Sequence, residues 1–325
     1  MPRLEEEAGP RIKSGVTEEQ VRRFAVDLAT LAPEGKLALA VSGGPDSLAL
    51  LLLAQAARPG AIIAATVDHG LRPEARAEAE LVGLLCADLG VPHTILTVTV
   101  PDDPAGLQAA ARDARYRALA RWAEAEGAVA IATGHQLDDQ AETVLMRLAR
   151  GSGIGGLSGM PARRALDRAT LIRPLLGWRR KELAAIVSAA GITAIDDPSN
   201  HNPRFDRTTA RALLEVGWPD PKRLAASADH LAEAEEALAW ASRRLADERL
   251  REDAKGITID MAGLPREFVR RLVLAAFAGL GSAPKRGDEL DRLIDRVAAG
   301  SVSTLAGIKV TPGELWRFTK AKPHR

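Results

Sequence analysis

The stretch LALAVSGGPDSLALLLLA, Leu37 to Ala54, decides how this chain is read. An apolar run breaks at Ser42-Gly43-Gly44-Pro45-Asp46-Ser47 and resumes at once, which makes the hexapeptide a tight turn between a buried strand and a buried helix. The same alternation continues outward. AIIAATV precedes the helical pattern RPEARAEAELVGLLCADLG, and HTILTVTV precedes GLQAAARDARYRALARWAEAEG. AVAIAT precedes LDDQAETVLMRLAR, and ELAAIVSAAG leads into ITAI. Five short apolar runs separated by helices predict an α/β domain with a parallel five-stranded sheet sandwiched by helices. Ligands in such sheets collect at the carboxyl ends of the strands. Those ends read SGGPDS, DHG and GHQLDD, so the polar residues fall where a site is expected.

The length of 325 residues suits two domains, and 46% hydrophobic with 27% charged residues is a soluble globular composition. A formal net charge of +1 gives no global basic field, so a nucleic-acid surface would have to be local. The single cysteine, Cys86, excludes a disulfide framework, a Cys-x-x-Cys pair and a cysteine-only zinc site. It lies in the apolar pattern LVGLLCADLG and is expected in the core of a protein kept in a reducing cytoplasm. The polar N-terminus has no signal-type apolar segment, and residues 1–18 are expected to be flexible. No apolar run reaches the roughly 18 residues of a membrane span, so no membrane partner is expected.

Character changes after Trp218. WPDPKR reads as a linker, and a long charged helical pattern runs from Leu224 to about Arg251. LPREFVRRLVLAAFAGLG, a final helix and a hairpin around TLAGIKVTPGELWRFTK follow. The expected division is a site-bearing domain over 1–217 and, over 218–325, a linker helix with a smaller, mainly helical domain.

The turn matches neither the P-loop, because no lysine follows Gly43 or Gly44, nor Gly-x-Gly-x-x-Gly. Its glycines still let backbone N–H groups approach an anion, with the N-terminus of a helix behind them. Ser42 and Ser47 add hydroxyl donors. Asp46 would repel a bare phosphate and makes sense if it helps to hold a Mg²⁺ that bridges phosphates. Asp139 and Glu142 stand at i, i+3 and share a helical face, suited to a magnesium ion or to a cationic substrate head. Asp138 reads as a first-turn acid that complements the helix dipole. His69 and His135, without a third ligand, make a poor zinc pair.

The strand–SGGPDS–helix pattern resembles the N-type PP-loop ATP pyrophosphatases, of adenine nucleotide alpha hydrolase-like fold, which cleave ATP between the α- and β-phosphates. GHQLDDQAET followed by ARGSG resembles the tRNA(Ile)-lysidine synthetases within them. VDHGLRPEA, ARDARY, GIGGLSGM, LIRPLLGWRRKEL and DDPSNHNPRFDR extend the likeness from about Lys36 to Arg211. The chain departs from the family at DRTTARALLEVGW, where members often continue with Asn and a basic stretch, although Arg207 and Arg211 match basic positions. Its end at Arg325 leads to the expectation of a short form with one small C-terminal domain.

The resemblance implies ATP and Mg²⁺ as cofactors, and free L-lysine and an isoleucine tRNA with a CAU anticodon as partners. The implied reaction adenylates O2 of the wobble cytidine, then lets the lysine ε-amine displace AMP at C2. Ser42, Gly43, Gly44, Pro45, Asp46 and Ser47 would hold pyrophosphate, with His69, Gly134 and His135 at the nucleotide. Asp46 and Asp139 would position Mg²⁺. Asp139 and Glu142 would take the lysine ammonium, leaving two uses open for Asp139. Arg112 and Arg115 would neutralise phosphate or orient the cytidine, and Arg207 would contact the adenylated intermediate or the tRNA backbone.

Five basic residues, Lys309, Arg317, Lys320, Lys322 and Arg325, follow Ser301 against one acid, Glu314, with Trp316 and Phe318 among them. They form a modest basic patch for positioning phosphate contacts. Sulfur-transferring members would need further cysteines, and glutamine-dependent ones a glutaminase domain. A non-catalytic tRNA binder remains the rival of another class. A homodimer is one arrangement the sequence leaves open.

Overall fold

The computed structural model describes residues 15–70, 74–99, 107–195, 206–284 and 287–321, with the side chains of 107, 108, 206 and 207 outside that set. Two compact units divide between Ala232 and Glu233. In the first, α1 (Glu18–Leu31) leads into β1 (Leu37–Ala40), α2 (Pro45–Ala57), β2 (Ile62–Asp68), α3 (Glu74–Asp88) and β3 (His93–Thr97). Then come α4 (Leu107–Ala125), β4 (Ala130–Thr133), α5 (Leu137–Ala149) and the single turn α6 (Ile154–Leu157). A hairpin of β5 (Arg163–Leu166) and β6 (Ala169–Ile172) precedes α7 (Arg180–Ala189) and α8 (Asp206–Glu215). The next helix, α9 (Pro221–Arg249), contains the division. Of the N-terminal segment expected to be flexible, residues 1–14 lie outside the described set, and Thr17 caps α1 reciprocally with Gln20.

The strands run β3-β2-β1-β4-β6-β5. All are parallel except β5, which adds an antiparallel edge. The fifth parallel strand is therefore β6, not Ile192–Ile195 as the apolar pattern suggested. The hairpin turns at Asp167, with a φ of 50°, and its short, charged first strand gave little periodic signal. Ile195 has another task. Its N–H donates to the Gly43 carbonyl at 2.9 Å, so this segment straps the turn after β1 instead of joining the sheet.

Alternation along β1 assigns the two faces. Leu37 and Leu39 face a core with Phe24 and Leu28 of α1, the buried run of α2, Val82 and Cys86 of α3, and Leu183 of α7. Burial pushes the Cys86 thiol up to about 12, as expected of a packed, unreactive residue. Ala38 and Ala40 face Tyr116, Leu119 and Ala123 of α4. Sandwiching explains why LALLLLA is apolar all round: α2 is covered on every side. Trp178 fastens this layer, donating from Nε1 to Asp27 at 2.9 Å while the Arg23 guanidinium lies 4.0 Å from its ring.

The second unit contains the sheet β7 (Leu250–Asp253), β8 (Gly256–Ile259), β9 (Ser303–Leu305), β10 (Ile308–Thr311) and β11 (Trp316–Lys320). Its order is β7-β8-β11-β10-β9, antiparallel throughout. Helices α10 (Arg266–Gly279) and α11 (Gly287–Ala298) share its core, where Phe277 and Phe318 meet edge to face at 6.3 Å. Helix still outweighs strand in this unit. The expected hairpin, however, is part of a five-stranded sheet that organises the core.

Trp178→Ala is expected to destabilise the first unit by about 3–5 kcal/mol through the cavity it leaves, read as a lower urea midpoint by circular dichroism. Trp178→Phe, which loses mainly the bond to Asp27, should cost about 1–2 kcal/mol.

Candidate active site

The strand order reverses at β1, whose neighbours are β2 and β4. A crevice at the carboxyl ends of β1 and β4 is the topological position for a ligand, and both chemistry-bearing segments end there. Ser42–Ser47 follow β1, and Gly134–Asp139 follow β4. Gly44 caps α2 and Pro45 opens it, so backbone N–H groups of the first turn face the crevice end.

The glycines differ in purpose. Gly43 has a φ of 84°, and a Cβ there would collide with Ile195 Cδ1. Gly134 packs so closely that a Cβ would stand 3.0 Å from the backbone of Asp46 and Ser47. Gly44 has an ordinary φ of −73°, and a Cβ would meet only Ser42 Oγ at 3.8 Å. The fold needs glycine at 43 and 134; at 44 it leaves the backbone bare to an approaching group. Ser47 shapes the turn, donating to the Gly44 carbonyl at 2.9 Å and accepting from the Ser42 N–H at 3.1 Å. Ser42 is exposed beside it.

Asp46, Asp139 and Glu142 come together as expected, and Arg180 stands among them. Its Nη2 donates to Glu142 at 2.8 Å and to Asp139 at 3.2 Å, while Arg211 Nε adds a second bond to the same Glu142 oxygen at 3.1 Å. Glu142 is wholly buried. Asp139 also closes a capping box, accepting from the Gln136 N–H at 3.2 Å. Asp46 carries the strain. Its Oδ1 is buried without a hydrogen-bond partner, and burial, with the Asp139 charge beside it, raises its pKa to about 7.

Sequence reasoning did not assign Arg180; the RR of LIRPLLGWRRKEL carried it, but nothing local distinguished it from a surface cation. Asp138 does more than complement a dipole. It accepts from Arg179 at 2.9 and 3.1 Å and from the Arg180 N–H at 2.8 Å, clamping the start of α7 to α5. Beside this network lies a cavity of about 380 Å³ lined by Glu142, Arg180, Lys181, Arg211 and Glu215.

His135 sits at the end of β4 with Nδ1 2.8 Å from Thr133 Oγ1. His69 follows β2; burial, helped by the Arg115 charge, lowers its pKa, and Nδ1 is buried without a hydrogen-bond partner. Arg115 adjoins His69, and Arg112 donates to the Tyr116 hydroxyl at 3.2 Å. The Arg207 side chain and the DDPSNHNPRF segment lie outside the described residues. In the second unit Lys309 and Lys320 are exposed and Arg317 pairs with Asp253 at 3.3 Å, while Lys322 and Arg325 lie outside the described set. Trp316 and Phe318 are core residues, which removes them as stacking platforms.

Residues 15–216 match the model of an ATP-binding PP-loop domain. The tRNA(Ile)-lysidine synthase of Zymomonas mobilis is 44% identical over 90% of this chain and 90% of its own length. That of Novosphingobium aromaticivorans is 45% identical over 93% and 94%. The chain belongs to the tRNA(Ile)-lysidine synthase family of PP-loop proteins. A solved U34-tRNA thiolase from Methanococcus maripaludis shares the fold, with a TM-score of 0.57 at 21% identity over 66% of this chain and 78% of its own. No described helix is long and apolar enough to cross a membrane.

Between pH 3.8 and about 7 the folded state binds more protons at Asp46 than the unfolded chain, so stability falls as pH rises through that window. Asp46→Asn is expected to remove that fall. It should stabilise the ligand-free protein at pH 8 by a few kcal/mol, at about 1.4 kcal/mol per pKa unit. Urea titrations of both proteins across the window test this, and curves separated by a constant offset would contradict it.

Proposed function

We propose that this chain is an ATP-dependent ligase that joins free lysine to C2 of the wobble cytidine in an isoleucine tRNA with a CAU anticodon, through an adenylated cytidine. The change would shift codon reading from AUG to AUA and charging from methionine to isoleucine. The observation that carries this reading is the joining, in one crevice, of an open PP-loop turn to a buried acidic pair. The relatives named tRNA(Ile)-lysidine synthase, which align over nine-tenths of the chain, support it. A cytoplasmic setting fits these partners.

In this reading the Ser42–Ser47 N–H groups and the α2 N-terminus hold the departing pyrophosphate, so charge that develops on phosphoryl oxygens meets donors already in place. Gly134 keeps the end of β4 tight against that turn, and His69 and His135 line the nucleotide. Asp46 and Asp139 fit a magnesium ion: one oxygen is buried without a hydrogen-bond partner, and burial, with the Asp139 charge beside it, holds the Asp46 carboxyl toward neutrality. Two carboxylates with nucleotide oxygens and water make an ordinary Mg²⁺ shell. The ion would neutralise the phosphate charge.

Lysine is read into the cavity beside Glu142. Its lining has both signs of charge, as a zwitterion requires, and Lys181 and Glu215 there have no ion-pair partner among the described residues. Glu142 already accepts from two guanidiniums, so the incoming ammonium shares that network or displaces one of them. Arg112, Arg115 and Arg207 are assigned to phosphate, cytidine or the tRNA backbone. We assign residues 1–217 to catalysis and the exposed lysines of the later region to tRNA contact.

Acid-precipitable radiolabelled lysine is expected only with Mg-ATP and the CAU transcript, and not with a control anticodon. Asp46→Ala should abolish adenylation, measured as tRNA-dependent pyrophosphate release. Glu142→Ala should spare that release and raise the lysine requirement at least tenfold; an unchanged requirement would remove Glu142 from the lysine site. Pyrophosphate release without lysine incorporation would point to another nucleophile, and tRNA binding with neither signal to the non-catalytic reading.

Gly44→Ala provides a separate check on the turn. It should melt like the parent protein, because nothing crowds the new methyl, yet bind Mg-ATP about tenfold more weakly. Unchanged ATP affinity would mean that the bare backbone at 44 does not face the nucleotide.

A further inference from the structure

Four guanidinium groups gather around one phenol ring at the carboxyl edge of the sheet, apart from the PP-loop turn. Arg112, Arg115 and Tyr116 come from α4, Arg164 from β5 and Arg173 from the residue after β6. The guanidinium carbons of Arg112 and Arg164 each lie 5.1 Å from the Tyr116 ring centroid. Arg173 is only 3% exposed; Nη1 donates to the Pro161 carbonyl at 2.5 Å, while Nε is buried with no partner. Ile172, just before it, pairs with Ala132 of β4, so Arg173 stands next to the strand end that carries Gly134 and His135.

Among the described residues, no carboxylate pairs with any of the four arginines. Cation–π contact with a single ring is worth about 0.5–1 kcal/mol at exposed sites and about 2 or more when desolvated, too little to offset four cations that repel one another. Burial lowers the pKa of Arg115 and Arg173, and the neighbouring guanidiniums add to the effect. A guanidinium keeps its proton all the same. The fold therefore maintains positive charge at a partly desolvated place, a condition an anion relieves. The planar forks of arginine match phosphate oxygens in particular.

We propose that Arg112, Arg115, Arg164 and Arg173 form a phosphate-binding subsite distinct from Ser42–Ser47, with Arg164 and Arg173 completing it. The subsite follows from the uncompensated charge. Only the source of its phosphate, the tRNA backbone or ATP, rests on the function proposed above.

The test titrates Mg-ATP and, separately, a CAU anticodon stem-loop RNA into the full chain and its Arg164→Ala, Arg164→Lys and Arg173→Lys variants, from about 50 to 200 mM salt. Arg164 is exposed, so Arg164→Ala is expected to melt as the parent does. It should weaken one ligand about tenfold and, if that ligand is the RNA, reduce the slope of log affinity against log salt by about one. Arg164→Lys, which keeps the charge, should retain the slope, a distinction that a merely structural role would not produce. Weakening of the RNA alone assigns the tRNA backbone, and of ATP alone the nucleotide. Unchanged affinity and slope for both ligands in Arg164→Ala and Arg173→Lys overturn the subsite. Lysine incorporation by the parent protein is scored independently, so its absence would remove the ligase reading while the phosphate result stands.

Discussion

Asp46, Asp139 and Glu142 sit around a single guanidinium, that of Arg180, where α2, α5 and α7 meet at the carboxyl edge of the sheet. Burial works against the Arg180 charge, yet Glu142, Asp139 and Asp46 together hold its pKa above the ordinary value. Glu142 would be untenable in a dry position without such a partner, because an unpaired buried carboxylate costs several kcal/mol. Arg211 brings α8 to the same oxygen, and the Asp138–Arg179 fork fixes the first turn of α7. The geometry of the crevice thus depends on one balanced network rather than on any single pair. Asp46 is the member with one buried oxygen left without a hydrogen-bond partner.

Charge is segregated across the crevice. Carboxylates with their two counter-cations lie toward α5, α7 and α8, whereas α4, β5 and the residue after β6 contribute arginines that pair with no carboxylate among the described residues. Ligands of opposite sign therefore have separate places to go. An ammonium or a divalent ion suits the first side, and phosphoryl oxygens suit the PP-loop turn and the arginine side. The alanines of β1 matter here too, since Ala38 and Ala40 let α4 pack close and bring Arg112, Arg115 and Tyr116 to the strand ends.

The second unit spends its aromatic residues on its own core. Phe277, Trp316 and Phe318 fill the space between α10, α11 and the sheet, so any RNA contact there falls to cations such as Lys309 and Lys320 on its surface. Contacts of that kind position a nucleic acid without reading its bases.

The sequence by itself determined the βα turn at Ser42–Ser47, the parallel sheet and the positions of Asp46, Asp139 and Glu142, because each is written in local periodicity and short spacing. Hydrophobic alternation is a local property, and so is a carboxylate pair at i, i+3 on one helix. Tertiary structure decided the rest. Arg180 and Arg211 find Glu142 across 38 and 69 residues, and Arg164 and Arg173 join Arg112 across more than 50. No local pattern records such distances. For the same reason ITAI, a strand by its residues, became the strap over Gly43, while the charged hairpin before Ile172 took the place in the sheet. Strand propensity states what a segment tolerates; neighbours across the sheet settle which segment is used.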